Sequence, residues 1–209
     1  MSGRKGFTLV ELLIVIVVIG VLAAMMMLSS TEAISSAKAS NIVAGLTTFK
    51  EALIHWYTDN YDKVVIGYYD KEKYVKDDIY RITYTKNNKT IHTLGDMMAN
   101  DPGAVTKYIG NASQFKFDNT SFSSKATEGK YRFEDSGAAN KRSSWFVGYV
   151  LSASEKNSGV AQKLVGRAKS AHLLANQGTT GGTNVGSNQA EITPYAGGDI
   201  VWMKVLDFK

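Results

Sequence analysis

From Phe7 to Leu28 the chain is apolar almost without a break: Phe-Thr-Leu-Val-Glu-Leu-Leu-Ile-Val-Ile-Val-Val-Ile-Gly-Val-Leu-Ala-Ala-Met-Met-Met-Leu. As a helix, at about 1.5 Å per residue, this run spans roughly 33 Å, close to the hydrocarbon thickness of a bilayer. Beyond it the apolar residues narrow to a stripe. Ala39, Ile42, Leu46, Phe49, Leu53 and Trp56 follow one another at alternating spacings of three and four, the pattern of one helix face. Lys38, Ser40, Asn41, Thr47, Thr48, Lys50 and Glu51 occupy the other side. Between Val21 and Asn60 there is no proline and only one glycine, Gly45. The pattern predicts one helix from about Phe7 to about Asp59, roughly 80 Å long if straight. Its first half has no polar face, and its second half is amphipathic.

After Asn60 the period changes. Ile79–Thr85 is β-branched and aromatic, Asn87-Asn88 marks a turn, and Thr90–Leu94 reads as the hairpin partner. Asp101-Pro102-Gly103 predicts a short helix to about Ile109, with Asp101 as its N-cap and Pro102 in first position. Gln114–Asp118 and Lys130–Glu134 alternate polar and apolar residues around a Ser/Thr-rich loop. Trp145–Leu151 is nearly all apolar and reads as a central strand, and Asp199–Phe208 as the last strand. Val160–Asn176 reads as a helix with Ala161, Leu164, Val165, Ala168, Ala171 and Ala175 on one face, stopped at Gly178. Gly178–Gly198 reads as a surface loop. The expected fold is α+β, a lollipop in which the amphipathic half of the long helix packs on an antiparallel sheet. Four regions follow: residues 1–6 before the apolar run, 7–28 as a membrane half-helix, 29–59 as the amphipathic half, and 60–209 as a globular head.

Composition adds limits. The chain has 209 residues, 44 % hydrophobic and 21 % charged, which suits one folded domain with an appended element. There is no cysteine, so disulfides and Cys-based metal sites are excluded. The net charge of +5 is spread among acids, so a nucleic-acid partner is not implied. His55, His92 and His172 are far apart, and no H-E-x-x-H, G-x-S-x-G or P-loop motif occurs. Asp59-Asn60-Tyr61-Asp62 and Asp77-Asp78 offer oxygen ligands without the spacing of a calcium loop. Tyr57, Tyr61, Tyr68, Tyr69 and Tyr74 suit either packing at a domain edge or an aromatic contact surface. No enzymatic activity, cofactor or metal is expected.

The N-terminus carries the sharpest signal. Arg4 and Lys5 precede the apolar run, and Ser29-Ser30-Thr31-Glu32 follow it. Positive-inside logic places the N-terminus in the cytoplasm and everything after Leu28 outside. A conventional signal peptide carries its small-residue cleavage site behind a shorter apolar segment. Here the small residue, Gly6, stands in front. A cut there strips the basic leader and leaves the membrane helix on the product. Glu11 lies inside the apolar run, near its cytoplasmic end. Such a residue is either a tolerated interfacial carboxylate of a plain signal anchor or a charge awaiting a partner. A cut before Phe7 creates an α-amino group four residues from Glu11, and the Phe7 ammonium of a neighbouring subunit is a candidate partner.

The segment Lys5-Gly6-Phe7-Thr8-Leu9-Val10-Glu11-Leu12-Leu13 resembles the class III signal of type IV prepilins and pseudopilins: a basic leader ending in Gly, then Phe-Thr-Leu, an apolar residue and Glu. The resemblance covers roughly the first 25 residues. Gly20 falls where that family often has a helix-loosening glycine, and the proline frequent later in the helix is absent. The resemblance implies cleavage between Gly6 and Phe7 by prepilin peptidase, N-methylation of Phe7 and an assembly role for Glu11. It implies a fibre subunit whose partners are copies of itself or other pilins, the peptidase, an inner-membrane assembly platform and, before assembly, the lipid bilayer. The expected location is the cytoplasmic (inner) membrane, crossed once with the N-terminus in the cytoplasm, and then a surface pilus or periplasmic pseudopilus. A structural pilus subunit, a pseudopilin of a type II secretion or DNA-uptake system, and a non-polymerising signal-anchored binding domain are the three readings. A plain anchor needs neither Gly6-Phe7 nor Glu11.

Overall fold

Ala39, Ile42, Leu46, Phe49, Leu53 and Trp56, the stripe read from the sequence, are all buried, at 0–4 % exposure. They lie on a single helix, α1 (Leu9–Asp59), 51 residues or about 77 Å long. The structure is a computed structural model that describes residues 6–70, 73–82, 84–91, 93–118, 127–136, 144–176 and 192–207. After α1 come β1 (Val64–Asp70), β2 (Lys73–Ile82), β3 (Tyr84–Lys86), β4 (Lys89–Ile91), α2 (Leu94–Asn100) and α3 (Gly103–Thr106). Then follow β5 (Tyr131–Ser136), β6 (Ser144–Val150), α4 (Ala153–Asn157), α5 (Val160–Arg167), β7 (Leu173–Asn176), β8 (Ile192–Pro194) and β9 (Ile200–Asp207). The main sheet has the order β5-β6-β9-β7-β8 with every neighbouring pair antiparallel. The α+β expectation holds.

The period-two pattern of the strands decides what the helix meets. On β5, Tyr131 and Phe133 face α1, where Phe49 lies 4.7 Å and 5.6 Å away between ring centroids. Phe115 and Phe117 close the same cluster at 4.8 Å and 4.9 Å from Phe49. On β6, Trp145, Val147 and Tyr149 join this main core, with Trp145 6.1 Å from Trp56. The alternate residues serve the other face of the sheet. Phe146, Val150, Ile200 and Trp202 form a second buried cluster there. Arg132 and Glu134 also alternate away from Tyr131 and Phe133, and both are buried. Arg132 Nε lies 2.9 Å from Glu134 Oε1 and its Nη1 3.7 Å from Asp118 Oδ2. Asp118 in turn accepts hydrogen bonds from the Thr127 amide and hydroxyl. Buried charges persist only with such partners.

Gly45 is the one glycine in the docked half of α1, and it has a packing reason. A Cβ built there collides with the Tyr131 phenol. That ring is itself packed between Phe49, Phe115 and Tyr149, so displacing it costs those contacts. Gly45→Ala gains about 1 kcal/mol of helix propensity. Overpacking a tight core costs about 1–3 kcal/mol. A net loss is expected, read as a lower chemical-denaturation midpoint of the full chain in detergent. A raised midpoint would mean that Tyr131 does not pack against α1.

Several sequence expectations need correction. The Ile79–Thr85 strand is two pieces, the end of β2 and the start of β3. Only the second pairs across Asn87-Asn88, with Thr85 opposite Thr90. Asn87 and Asn88 both take left-handed conformations (φ 49° and 60°), as a two-residue hairpin turn demands. Leu94 leaves that hairpin to begin α2, which Thr93 caps by accepting from the Asp96 amide. Asp101 is not an N-cap side chain. It ends α2, and its carboxylate accepts from the Tyr84 hydroxyl at 3.3 Å. In Gln114–Asp118, where polar and apolar residues alternate, Phe117 forms one parallel bridge with Tyr131.

The helix expected over Val160–Asn176 stops at Arg167. His172 turns through φ 51°, and Leu173 and Leu174 enter β7 opposite Met203 and Trp202. Alanine-rich helical spacing loses there to sheet pairing with a buried neighbour strand. Val160, Leu164 and Ala168 face the core, whereas Val165 is exposed. The Ser/Thr-rich loop at 119–126, His92 and most of Gly178–Gly198 lie outside the described residues, as do the side chains of Tyr68, Tyr69, Tyr74, Asp77 and Asp78.

Candidate processing and assembly site

Burial along α1 begins only at Ser35. Below it, seventeen large apolar side chains among the described residues, from Phe7 to Ile34, are exposed. Transfer of each from water is worth about 1.5–3 kcal/mol, so water opposes this surface by roughly 25–50 kcal/mol in total. This stretch of α1 is long and apolar enough to cross a membrane. It fits a signal-anchored membrane protein. Met25, Met26 and Met27 belong to the same exposed sleeve.

The neck where the helix meets the head is polar. Ser35 donates to the Ser158 carbonyl, at the junction of α4 and α5, and to the Thr31 carbonyl of its own helix. Arg167 donates to the Ser40 hydroxyl at 2.6 Å and to the Ser36 hydroxyl at 3.1 Å. Hydroxyls one turn apart on α1 thus fix the lower edge of the head, and α5 grips them with one guanidinium.

At the other end of the exposed stretch, Gly6 and Phe7 precede the helix in non-helical backbone. Phe7 is 87 % exposed, and a Cβ placed on Gly6 meets nothing within 4 Å. Nothing in the fold of the described residues demands glycine at position 6. Arg4 and Lys5 lie outside the described residues. Thr8 is the N-cap of α1, with extended backbone (φ −77°, ψ 153°). Its hydroxyl accepts from the Glu11 amide at 3.3 Å. Glu11 Oε2 accepts from the Thr8 amide and the Thr8 hydroxyl, both at 2.8 Å. This reciprocal capping box satisfies two donors that the first turn otherwise leaves bare. The Thr8-x-x-Glu11 spacing that encodes this box is legible in the sequence. Glu11 is therefore held within its own subunit, four residues from Phe7.

Among the described residues the head brings no catalytic constellation together. His55 is exposed and stacks on Tyr108, 6.2 Å between centroids, and Tyr108 donates to Asp59 at 2.6 Å. His172 sits in the turn before β7. Among the described residues no group of three His, Cys, Asp or Glu side chains is placed to hold a metal ion. Burial, aided by the Glu155 charge, pushes the Tyr131 hydroxyl well above the phenol range. For Tyr149, burial and its hydrogen bond to Glu155 act in the same direction. Both phenols therefore stay neutral, Tyr149 donating to Glu155 at 2.9 Å.

No curated protein and no solved structure matches the chain. The signal that does match lies where the geometry above is concentrated. Residues 1–27 match the family model of the prokaryotic N-terminal methylation motif, and the chain thus carries the class III signal of type IV prepilins and pseudopilins.

Proposed function

We propose that the chain is a structural subunit of a type IV pilus or pilus-like fibre, cut between Gly6 and Phe7 by prepilin peptidase and N-methylated at Phe7 before assembly. The observation that carries this reading is the methylation motif at 1–27 on a helix half that no part of the described head covers. Such a surface needs lipid before assembly and neighbouring helices after it. The exposed, non-helical backbone at Gly6-Phe7 supports the cut, because a peptidase binds extended chain more readily than helix. Removing Arg4 and Lys5 releases the charges that hold the N-terminus in the cytoplasm. Glu11 then meets the Phe7 ammonium of an adjacent subunit, a pairing that sets register within an apolar seam.

Mass spectrometry of sheared surface filaments tests the reading. The wild-type chain is expected there with methylated Phe7 as its first residue. Filaments built from the unshortened chain would sink the processing step. Recovery only from envelope fractions, as a short periplasmic fibre, would place the subunit among pseudopilins. In the same assay Gly6→Val is expected to remain at full mass and stay out of fibres. Its head should denature as in the wild type, since a Cβ at position 6 meets none of the described residues within 4 Å.

A further inference from the structure

On a flank of α1 turned away from α5, Lys38, Asn41, Gly45 and Thr48 line an open groove of about 700 Å³ together with Lys116 and Tyr131. Glu155 also lines it, but its carboxylate is taken up by the Tyr149 hydroxyl and by the Ser152 amide and hydroxyl. The side chains of Lys38 and Lys116 make no hydrogen bond or ion pair among the described residues. Two lysines against the one carboxylate of Glu155 leave the groove with a net positive charge beside the helix that the proposed function places in a fibre.

An acid of matching placement exists on the same helix. Glu32 is exposed in the polar collar between the apolar run and the head, and it too lacks a partner among the described residues. It precedes Asn41 by nine residues, two and a half helical turns, so the two project about 180° apart. In two parallel copies, the side that carries Glu32 on one faces the side that carries the groove on the other. Along the axis, Glu32 lies about 9–24 Å below residues 38–48. A neighbour raised by that distance sets its Glu32 level with the groove, where its collar is still free of its own head.

We propose that Glu32 of one copy docks in the groove of the next, between Lys38 and Lys116. The contact joins two different surfaces of one chain, so it repeats without closing and builds an open filament. It rests on the fibre reading and adds to it a named contact and an axial offset.

The cysteine-free sequence makes the test clean. Fibres of the Glu32→Cys, Lys116→Cys chain, treated with a short bismaleimide, are expected to give a ladder of cross-linked multimers. Either single variant should give none. Independently, Glu32→Lys is expected to lower fibre incorporation by roughly tenfold or more, because it sets like charges together, and Lys116→Glu is expected to restore it. Assembled double-cysteine fibres without a ladder, or wild-type incorporation of Glu32→Lys, overturn the contact while leaving the fibre reading intact. Absence of the wild-type chain from any fibre overturns both.

Discussion

Phe49→Ala is expected to destabilise the head by about 3–5 kcal/mol, the range for emptying a fully buried phenylalanine site. Phe49 has no exposed surface, and four aromatic rings meet it: Phe115, Phe117, Tyr131 and Phe133. It stands where α1, β5 and the segment through Phe117 converge. Its loss leaves a cavity that those stiff rings cannot refill. A domain of this size is stable by about 5–15 kcal/mol, so the change removes a large share. Trp56 and Trp145 lie in the same core and report the transition by fluorescence in denaturant titrations of the full chain in detergent. Val17→Ala is the control. Val17 is exposed on the lower half of α1, and its substitution should leave the midpoint unchanged. Equal shifts from both variants would mean that the head does not dock along residues 39–56.

The contrast between Phe49 and Val17 marks what the sequence could disclose. A six-position stripe over five turns is a strong periodic signal, and every member proved buried. The same spacing logic failed at Ala171 and Ala175. There the periodic residues were small alanines, and Leu173 opposite Met203 decided the conformation through a partner thirty residues away. Short elements were equally opaque. The helix that starts at Leu94 rests on Thr93 as its cap, a single residue inside a stretch rich in β-formers. Gly45 read as a blemish in a helix until Tyr131, far off in sequence, supplied its reason. The buried Arg132–Glu134–Asp118 cluster left no mark at all, because charged residues alternating along a strand ordinarily face water. At the proposed processing site the order reverses. Gly6, Phe7 and Glu11 are proposed from residue types alone, and the structure adds Thr8, through contacts that the T-x-x-E spacing already encodes.

That added residue turns the Glu11 substitution into a discriminating experiment. Glu11→Ala is expected to abolish incorporation into fibres while leaving the denaturation of the head unchanged. The head begins at Ser35, about 36 Å up the helix from Glu11, so no folding contact is lost. Two physical causes predict the same defect. Alanine removes a negative charge that a neighbouring Phe7 ammonium needs, and it also removes the acceptor that the Thr8 amide and hydroxyl use at 2.8 Å. Glu11→Gln separates them. Its amide oxygen still accepts from Thr8, so the capping box survives, but the charge is gone. If pairing across subunits drives assembly, glutamine fails as alanine does, and fibre yield falls by the same factor. If helix capping is the cause, glutamine restores the yield. Thr8→Val supplies the converse, keeping the carboxylate and removing the hydroxyl that both donates to it and caps the first turn. Charge pairing predicts that Thr8→Val assembles better than Glu11→Gln, since the carboxylate can still meet its ammonium without the intramolecular clasp. The reverse ranking would assign Glu11 to the folding of its own helix end and leave the apolar sleeve alone to hold the fibre together.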